Sequence, residues 1–481
     1  MQAALELLNE LSESDIDWIF SAGREQQVIA NTAIIREGDR PEALYIVIEG
    51  LLGVALSSTG DMTVGVLGPG AIIGELSFLE DRPAAASVTA IESSLLLVLA
   101  HTTLDGKLKD DPAFAARFYR ALAILSSQRL RERVDVLGRL RQDQFITEHP
   151  AGIWVALEES IDQFKELLVQ ADREALNNDN VLPEASSMQI QQAFRDLGRS
   201  ITSAIGDPAT NHTLLNEELG ARLRREILPY LLLTNTGERY YSKPRGYAGD
   251  FLTIEMIYRN QAEGSGRLGA VLDQCFLNLQ AAVAVRNRRD LLAEEIAGVV
   301  EQRQSQVAHI ASLACGPAAE LFDVFQRLPD PARLSASLID IDMQALAFVA
   351  DRRDKAKLQR QMHLINANLM YLATGRQKID LKEQDLIYSI GLIDYFNDKF
   401  VIKLLNYIYG LLHVGGKVIL GNFHPRNPDK ALMDYVLDWK LIHRTEADMD
   451  RLFSNSTFNR PCTNVRFEEQ GINLFAECIK A

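Results

Sequence analysis

The chain has 481 residues, 47% of them hydrophobic and 24% charged, and a formal net charge of −15. That length allows two or three domains of ordinary globular composition. The acidic balance counts against an extended nucleic-acid surface, and no apolar run approaches bilayer-spanning length. The start lacks the basic region of a secretory signal, so a cytoplasmic protein without a transmembrane segment is expected. The cysteines, Cys275, Cys315, Cys462 and Cys478, are scattered without metal-ligand spacing and read as reduced thiols, with no metal site.

From Leu11 to Ala100, apolar and polar positions alternate between glycine-rich turns. Residues 43–50 and 53–56 read as strands, with turns at 59–61 and 68–70. Many short strands at regular spacing predict a β-roll or barrel. Ile35-Arg-Glu-Gly-Asp39 and Tyr45-Ile-Val-Ile-Glu-Gly50 resemble the cyclic-nucleotide-binding domain, and Gly74-Glu-Leu-Ser-Phe-Leu-Glu-Asp-Arg-Pro-Ala-Ala-Ala-Ser-Val88 resembles its phosphate-binding cassette. In that family a glutamate binds the ribose 2′-hydroxyl and an arginine after proline pairs with the cyclic phosphate. Glu75, next to Gly74, keeps the first role, but Ala84 stands at the arginine position. Arg82 lies two residues earlier and would need another path to the phosphate. The resemblance implies a nucleotide effector other than cyclic AMP, at a degenerate site. A structural or dimerising roll is the alternative.

A helical pattern over 112–137 places Phe114, Phe118, Leu122 and Leu125 on one stripe, with Arg129, Arg131 and Arg133 at its polar end. In the resembled family such a helix often pairs with its copy, which implies a homodimer; packing back on its own domain is the alternative. No winged-helix pattern follows, so DNA is not an expected partner. Leu157, Ile161, Phe164 and Leu168 make a second stripe, and Ile190, Phe194, Leu197 and Ile201 a third. A further helix is expected over about 215–232, with loops at 177–183 and 206–208.

An apolar strand over 307–313 turns through Cys315-Gly316-Pro317 into a helix over 318–327. Such a turn brings backbone N–H groups to the edge where open α/β sheets bind nucleotide-like ligands. Further strands are expected over 338–342, ending in carboxylates, over 363–367, over 385–391 and over 416–422, the last after a helix over 401–412. Alternation of strands and helices predicts a parallel, doubly wound sheet. Segments 463–468 and 472–479, joined around Gln470-Gly471, read as a closing antiparallel hairpin.

This order resembles class I S-adenosylmethionine-dependent methyltransferases, over the last third to half of the chain. The expected fold class is therefore α/β plus β-roll. It comprises a cyclic-nucleotide-binding-like β-roll with its long helix over 1–137, a helical linker or lid over 138–300, and a Rossmann-like methyltransferase domain over 301–481. The turn Ala314-Cys-Gly-Pro-Ala318 matches the family's first motif, with Ala314 and Ala318 where glycines are usual and Ser312 where an acidic residue often lies. The resemblance implies S-adenosylmethionine as cofactor, held by Ser312, Ala314, Cys315, Gly316 and Pro317. It puts Asp340 on the ribose with Asp342 as competitor, Asn366 at the adenine edge, and Ser389 and Gly391 under the sulfonium. An N-cap for the helix near Met343 is the structural alternative for Asp340.

Three segments carry a narrower resemblance: Lys243-Pro-Arg-Gly-Tyr-Ala-Gly-Asp250, Tyr388-Ser-Ile-Gly-Leu-Ile-Asp-Tyr-Phe396, and Gly421-Asn-Phe-His-Pro-Arg-Asn-Pro428 with Tyr435-Val-Leu-Asp-Trp439. They look like bacterial 3-hydroxypalmitic acid methyl ester synthases, which make a quorum-sensing signal; several relatives carry a cyclic-nucleotide-binding-like domain. The implied acceptor is a small molecule such as a fatty acid, met by Arg245, Tyr247, Tyr395 and His424. Each has a bland alternative: Arg245 as a loop brace or a partner of Asp250, Tyr395 and Trp439 as core, His424 as a solvated loop residue. Three functions stay open. One is methyl-ester formation on a hydroxylated fatty acid or similar carboxylate. A second is methylation of another small molecule with His424 as base. The third is a non-catalytic signalling protein whose ligand sites are relics.

Overall fold

The computed structural model describes residues 11–56, 63–80, 82–124, 151–205, 214–381 and 383–481. The chain divides into two compact units, Met1–Gln144 with Lys243–Ala248, and Phe145–Ser242 with Gly249–Ala481. The helices expected as a separate middle region thus fall in one unit with the C-terminal sheet, while 243–248 falls with the β-roll. The expected boundary at Leu137, the turn at 59–61, the loop at 206–208, Leu125 and the arginines at 129, 131 and 133 lie outside the described residues.

In the first unit, α1 (Glu13–Ala22) starts with a capping box between Ser12 and Asp15. Strands β1 (Arg24–Val28), β2 (Ala33–Ile35), β3 (Ala43–Glu49), β4 (Leu52–Ala55), β5 (Thr63–Leu67) and β6 (Ile72–Ile73) lead to a short helix, α2 (Glu75–Glu80). β7 (Ser87–Ala90), β8 (Ser94–Ala100) and α3 (His101–Asp110) follow. The strands form two four-stranded antiparallel sheets, ordered β1-β8-β3-β6 and β2-β7-β4-β5. Their inner faces meet in a core of Val47, Leu52, Ile73, Ala84, Val88 and Leu96. The next helix is described over 112–124; it buries Phe114, Phe118 and Leu122, and Arg117 grips the Asp15 carboxylate at 2.6 and 2.9 Å. This stretch packs back on its own domain.

The second unit begins with α4 (Ala151–Leu176), α5 (Glu184–Ile205) and α6 (Leu214–Leu231). The two expected stripes are buried, and Phe164 meets Phe194 at 6.0 Å between ring centroids. Shorter helices α7 (Asn235–Ser242), α8 (Phe251–Arg259) and α9 (Gly269–Leu277) precede the long α10 (Gln280–Gln302). The α/β part then alternates β9 (Ala308–Leu313), α11 (Ala319–Arg327), β10 (Leu334–Asp340), α12 (Met343–Lys355), β11 (Met362–Asn366), α13 (Leu369–Ala373), β12 (Gln384–Ile390), α14 (Asp398–Leu411) and β13 (Leu412–Phe423). It closes with α15 (Lys430–Tyr435), α16 (Glu446–Ser454), β14 (Asn464–Phe467) and β15 (Asn473–Ile479).

These seven strands form one mixed sheet, ordered β11-β10-β9-β12-β13-β15-β14. Neighbours among β9 to β13 pair in parallel, while β15 runs antiparallel to β13 and β14. The inner strands are apolar along their length because helices cover both faces. Leu292, Ile296 and Val300 of α10 pack with Ile310, Leu338 and Leu386 of the sheet. The chain steps outward from β9 through β10 to β11, then returns to place β12 on the other side of β9. At such a reversal, open sheets hold ligands at the carboxyl ends of their strands. No helix among the described residues is long and apolar enough to cross a membrane.

Candidate functional site

The carboxyl edge of the sheet starts with the turn after β9. Ala314, Gly316 and Ala318 all have positive φ, at 54°, 52° and 49°. The turn thus keeps a glycine-type backbone at alternate positions, with alanine accepting the strain at two of them. A Cβ at Gly316 would meet no protein atom within 4 Å, so that side of the turn faces open space. Cys315 N–H donates to Ile339 O at 3.1 Å, tying the turn to β10, and burial pushes its thiol pKa well up. Pro317 is buried beneath the turn.

Asp340, at the tip of β10, faces this turn. Its Oδ2 accepts from Gly316 N–H and its Oδ1 from Asp342 N–H, both at 2.9 Å. Burial pushes its carboxyl up to about 6, against the lowering effect of those two N–H groups. The N-cap of α12 is Asp342, which accepts from Gln344 and Ala345 N–H. The two carboxylates therefore have separate roles, and the capping alternative belongs to Asp342. Asn366, exposed at the tip of β11, donates to Ile341 O at 3.0 Å.

Other expected cofactor residues lie deeper. Ser389 is fully buried and donates to Leu313 O at 2.9 Å, so its hydroxyl ties β12 to β9 instead of lining open space. Ser312 is buried against Tyr388, whose hydroxyl donates to Glu320 at 2.7 Å. Gly391 has φ +78°, and a Cβ there would lie 3.0 Å from Arg288 Nη2 and 3.1 Å from Nη1. Arg288 was not visible as a site residue in the sequence, nor was Tyr258, whose phenol burial raises to about 12 against the lowering effect of the Arg288 charge.

Tyr395 lies in the next loop and accepts from Trp439 Nε1 at 2.9 Å. Burial, foremost, raises its phenol pKa. A Cβ at Gly249 would stand 2.8 Å from the Tyr395 hydroxyl and 3.2 Å from the Trp439 ring, so only glycine allows this approach. Arg444, 2% exposed, holds the loop from behind. It donates to Ile393 O at 2.7 Å, Phe396 O at 2.5 Å and Asn422 Oδ1 at 2.9 Å, and pairs with Asp398 at 2.9 Å. An apolar cavity behind Trp439 is lined by Tyr240, Ile257, Leu279, Val285 and Met433.

On the acceptor side the structure gives these contacts. His424 is buried, its Nδ1 accepts from Arg426 N–H at 3.1 Å, and the other ring nitrogen faces Glu446 at 3.1 Å. With Nδ1 accepting, the neutral ring carries its proton on Nε2, toward Glu446, and both nitrogens are engaged. Asp250 caps α8 and accepts from Arg239 at 2.6 Å. Arg245 and Tyr247 lie in the 243–248 segment of the first unit, where a Cβ at Gly246 would be 2.9 Å from Gly68 Cα.

In the N-terminal cassette, Gly74 has φ +87°, and a Cβ there would be 2.8 Å from Ala43 O. Glu75 is buried at the start of α2. Ala84 is buried in the β-roll core. The Arg82 side chain is 77% exposed and lies 3.6 Å from Glu80, so it turns to solvent.

Comparison with known proteins agrees with this division. Residues 25–111 match the family model of the cyclic nucleotide-binding domain, and residues 245–476 match the model described as "Putative methyltransferase". The chain therefore carries a cyclic nucleotide-binding domain at its N-terminus and a methyltransferase-family domain in its C-terminal region. It is 30% identical over 128 residues to the cyclic AMP receptor protein of Thermus thermophilus, covering 26% of this chain and 57% of that protein. It is 31% identical over 117 residues to the cAMP-dependent protein kinase regulatory subunit of Blastocladiella emersonii, covering 24% of this chain and 29% of that one. In both cases the chain spans less than two thirds of the relative's length. A solved chain described as a "possible exported protein" from Bordetella parapertussis aligns at TM-score 0.43 and 19% identity, over 61% of this chain and 96% of its own.

Proposed function

We propose that the chain is an S-adenosylmethionine-dependent methyltransferase that esterifies the carboxylate of a hydroxylated fatty acid or a similar small acid, with its N-terminal domain as a regulatory or dimerising module. The observation that carries this is the Ala314–Ala318 turn, open on the side of the absent Gly316 Cβ and clamped by Asp340. That cradle suits the amino-acid end of the cofactor, and Asp340 suits the ribose hydroxyls. The sheet order, closed by the antiparallel β15–β14 pair, supports a class I, Rossmann-like assignment.

When bound, the cofactor supplies a methyl group already activated by a sulfonium. The chain's own task is then to hold the acceptor in line and keep water out. A carboxylate acceptor is ionised at neutral pH and needs no general base. The engaged ring nitrogens of His424 agree with that acceptor better than with one needing deprotonation. Tyr395, Trp439 and the apolar cavity behind them suit a hydrocarbon portion. In the N-terminal domain, Ala84 and the solvent-facing Arg82 favour an effector other than cyclic AMP. We place the protein in the cytoplasm, as four free thiols suit a reducing compartment.

Calorimetry with S-adenosylhomocysteine tests the cofactor, and product mass after incubation with methyl-labelled cofactor and 3-hydroxypalmitate tests the acceptor. Binding and one labelled methyl on the carboxylate are expected. No cofactor binding would leave a non-catalytic signalling protein.

A further inference from the structure

Arg288 is 5% exposed in α10, and its Nε has no hydrogen-bond partner. The other end of the guanidinium faces the position a Cβ would occupy on Gly391, within 3.0–3.1 Å. Gly391 directly follows β12 at the carboxyl edge of the sheet, so the Nη1/Nη2 fork lies against the backbone at that edge, where only glycine allows so close an approach.

Two other arginines of this unit are neutralised. Arg289 pairs with both oxygens of Asp323, at 2.6 and 2.7 Å, and Arg444 has Asp398 plus three further acceptors. Arg288 lies in the field of Asp394, which also feels Arg444, and near the Tyr258 phenol. Among the described residues no carboxylate completes an ion pair with it. Asp394 itself accepts from Phe423 N–H through Oδ1, leaving Oδ2 without a partner. Burying an uncompensated cation is unfavourable unless something anionic completes it. An arginine fork matches a carboxylate through two parallel N–H donors.

We propose that Arg288 is the seat of a carboxylate at the carboxyl edge of the sheet. The inference rests on the methyltransferase proposal, under which two carboxylates reach this edge: the methionyl carboxylate of the cofactor and that of the acceptor. The chemistry is the same, and the test separates the sources.

Arg288→Met and Arg288→Lys are compared with the wild type by calorimetry. The probes are S-adenosylhomocysteine, methylthioadenosine (which lacks the amino-acid carboxylate) and 3-hydroxypalmitate against its methyl ester. If the cofactor supplies the carboxylate, Arg288→Met weakens S-adenosylhomocysteine by about tenfold or more and leaves methylthioadenosine unchanged. If the acceptor supplies it, only the free acid weakens, and its ester does not. In either case Arg288→Lys recovers part of the loss, because it keeps a cation without the fork. The unliganded Arg288→Met protein should melt at or above the wild-type temperature. No change in either titration, or a large fall in melting temperature, overturns the inference and makes Arg288 a scaffold residue. A wild-type protein that binds neither nucleoside rejects the methyltransferase proposal itself, a result distinguishable from failure at Arg288.

Discussion

In the N-terminal cassette a buried acid, Glu75, remains where a nucleotide ribose would lie, but the cation is gone. Ala84 fills the β-roll core and Arg82 points to solvent. At the C-terminal sheet edge the unit has a buried acid, Asp340, and a buried arginine, Arg288, with no carboxylate partner among the described residues. Packing preserves both frames. The difference lies in unmet polar capacity, which costs stability and persists where a ligand can meet it. Two acids make the same point. Burial raises the Asp15 carboxyl, but Arg117 and Ser12 more than offset it and hold it at about 2. Asp340 accepts from the Gly316 and Asp342 N–H groups without a paired cation and stands at about 6.

The sharpest way to break this contrast is Gly316→Val. Its side chain would enter the open space of the turn, and S-adenosylhomocysteine affinity should fall by about 100-fold or more, measured by calorimetry. The backbone strain of a left-handed β-branched residue should destabilise the apo protein by only about 1–2 kcal/mol in a melt. Equal loss of folding and binding would show that the turn is a packing element.

Next comes Asp340→Asn, expected to weaken S-adenosylhomocysteine by about 1.5–3 kcal/mol, the worth of hydrogen bonds to a charged acceptor. The ionised carboxylate is the better acceptor, so wild-type affinity should rise as pH climbs through about 6 and then level off. In the asparagine variant that rise should flatten. The apo protein shows the opposite sign. Because the folded-state pKa lies above the ordinary value, the Asp340 contribution to stability falls as pH rises from about 4 to 6. Asp15 is lowered, so its contribution is present above about 4 and lost as pH falls through about 2.

Ala84→Arg would restore the missing cation of the cassette. A gain of about 1.5–3 kcal/mol in cyclic AMP affinity is expected in the full chain, accompanied by about 1–3 kcal/mol of overpacking in the β-roll core. Tight cyclic AMP binding by the unmodified protein would remove the contrast altogether. The smallest effect is Ala314→Gly. Ala314 is only partly buried and has φ 54°, so glycine should relieve strain and stabilise the unit by about 1 kcal/mol in thermal melts.

The strands of the mixed sheet were legible because buried parallel strands are apolar along their whole length and glycine or carboxylates mark their ends. The Asp340/Asp342 pair shows where legibility stops. Both residues suit a strand tip, and only the fold gives Asp342 to the helix cap and Asp340 to the turn. Arg288 was hidden in a basic stretch, Arg286 to Arg289, whose pattern on a helix looks solvated. Its burial arises from the loop after β12, a hundred residues away in sequence. Ser389 and His424 were plausible site residues by position, but Leu313 O and Glu446 occupy their polar atoms. Asp250 pairs with Arg239, eleven residues away in sequence. In each case the deciding partner lies outside the local pattern.

The discontinuous first unit also has a consequence for biosynthesis. Its β-roll leaves the ribosome early, but residues 243–248, which belong to the same compact unit, emerge roughly a hundred residues after Gln144. At ordinary elongation speeds that is a delay of about 5–20 s. The nascent β-roll must persist through that interval with the place beside Gly68 unfilled, and the unit reaches its complete packing only when the later segment arrives.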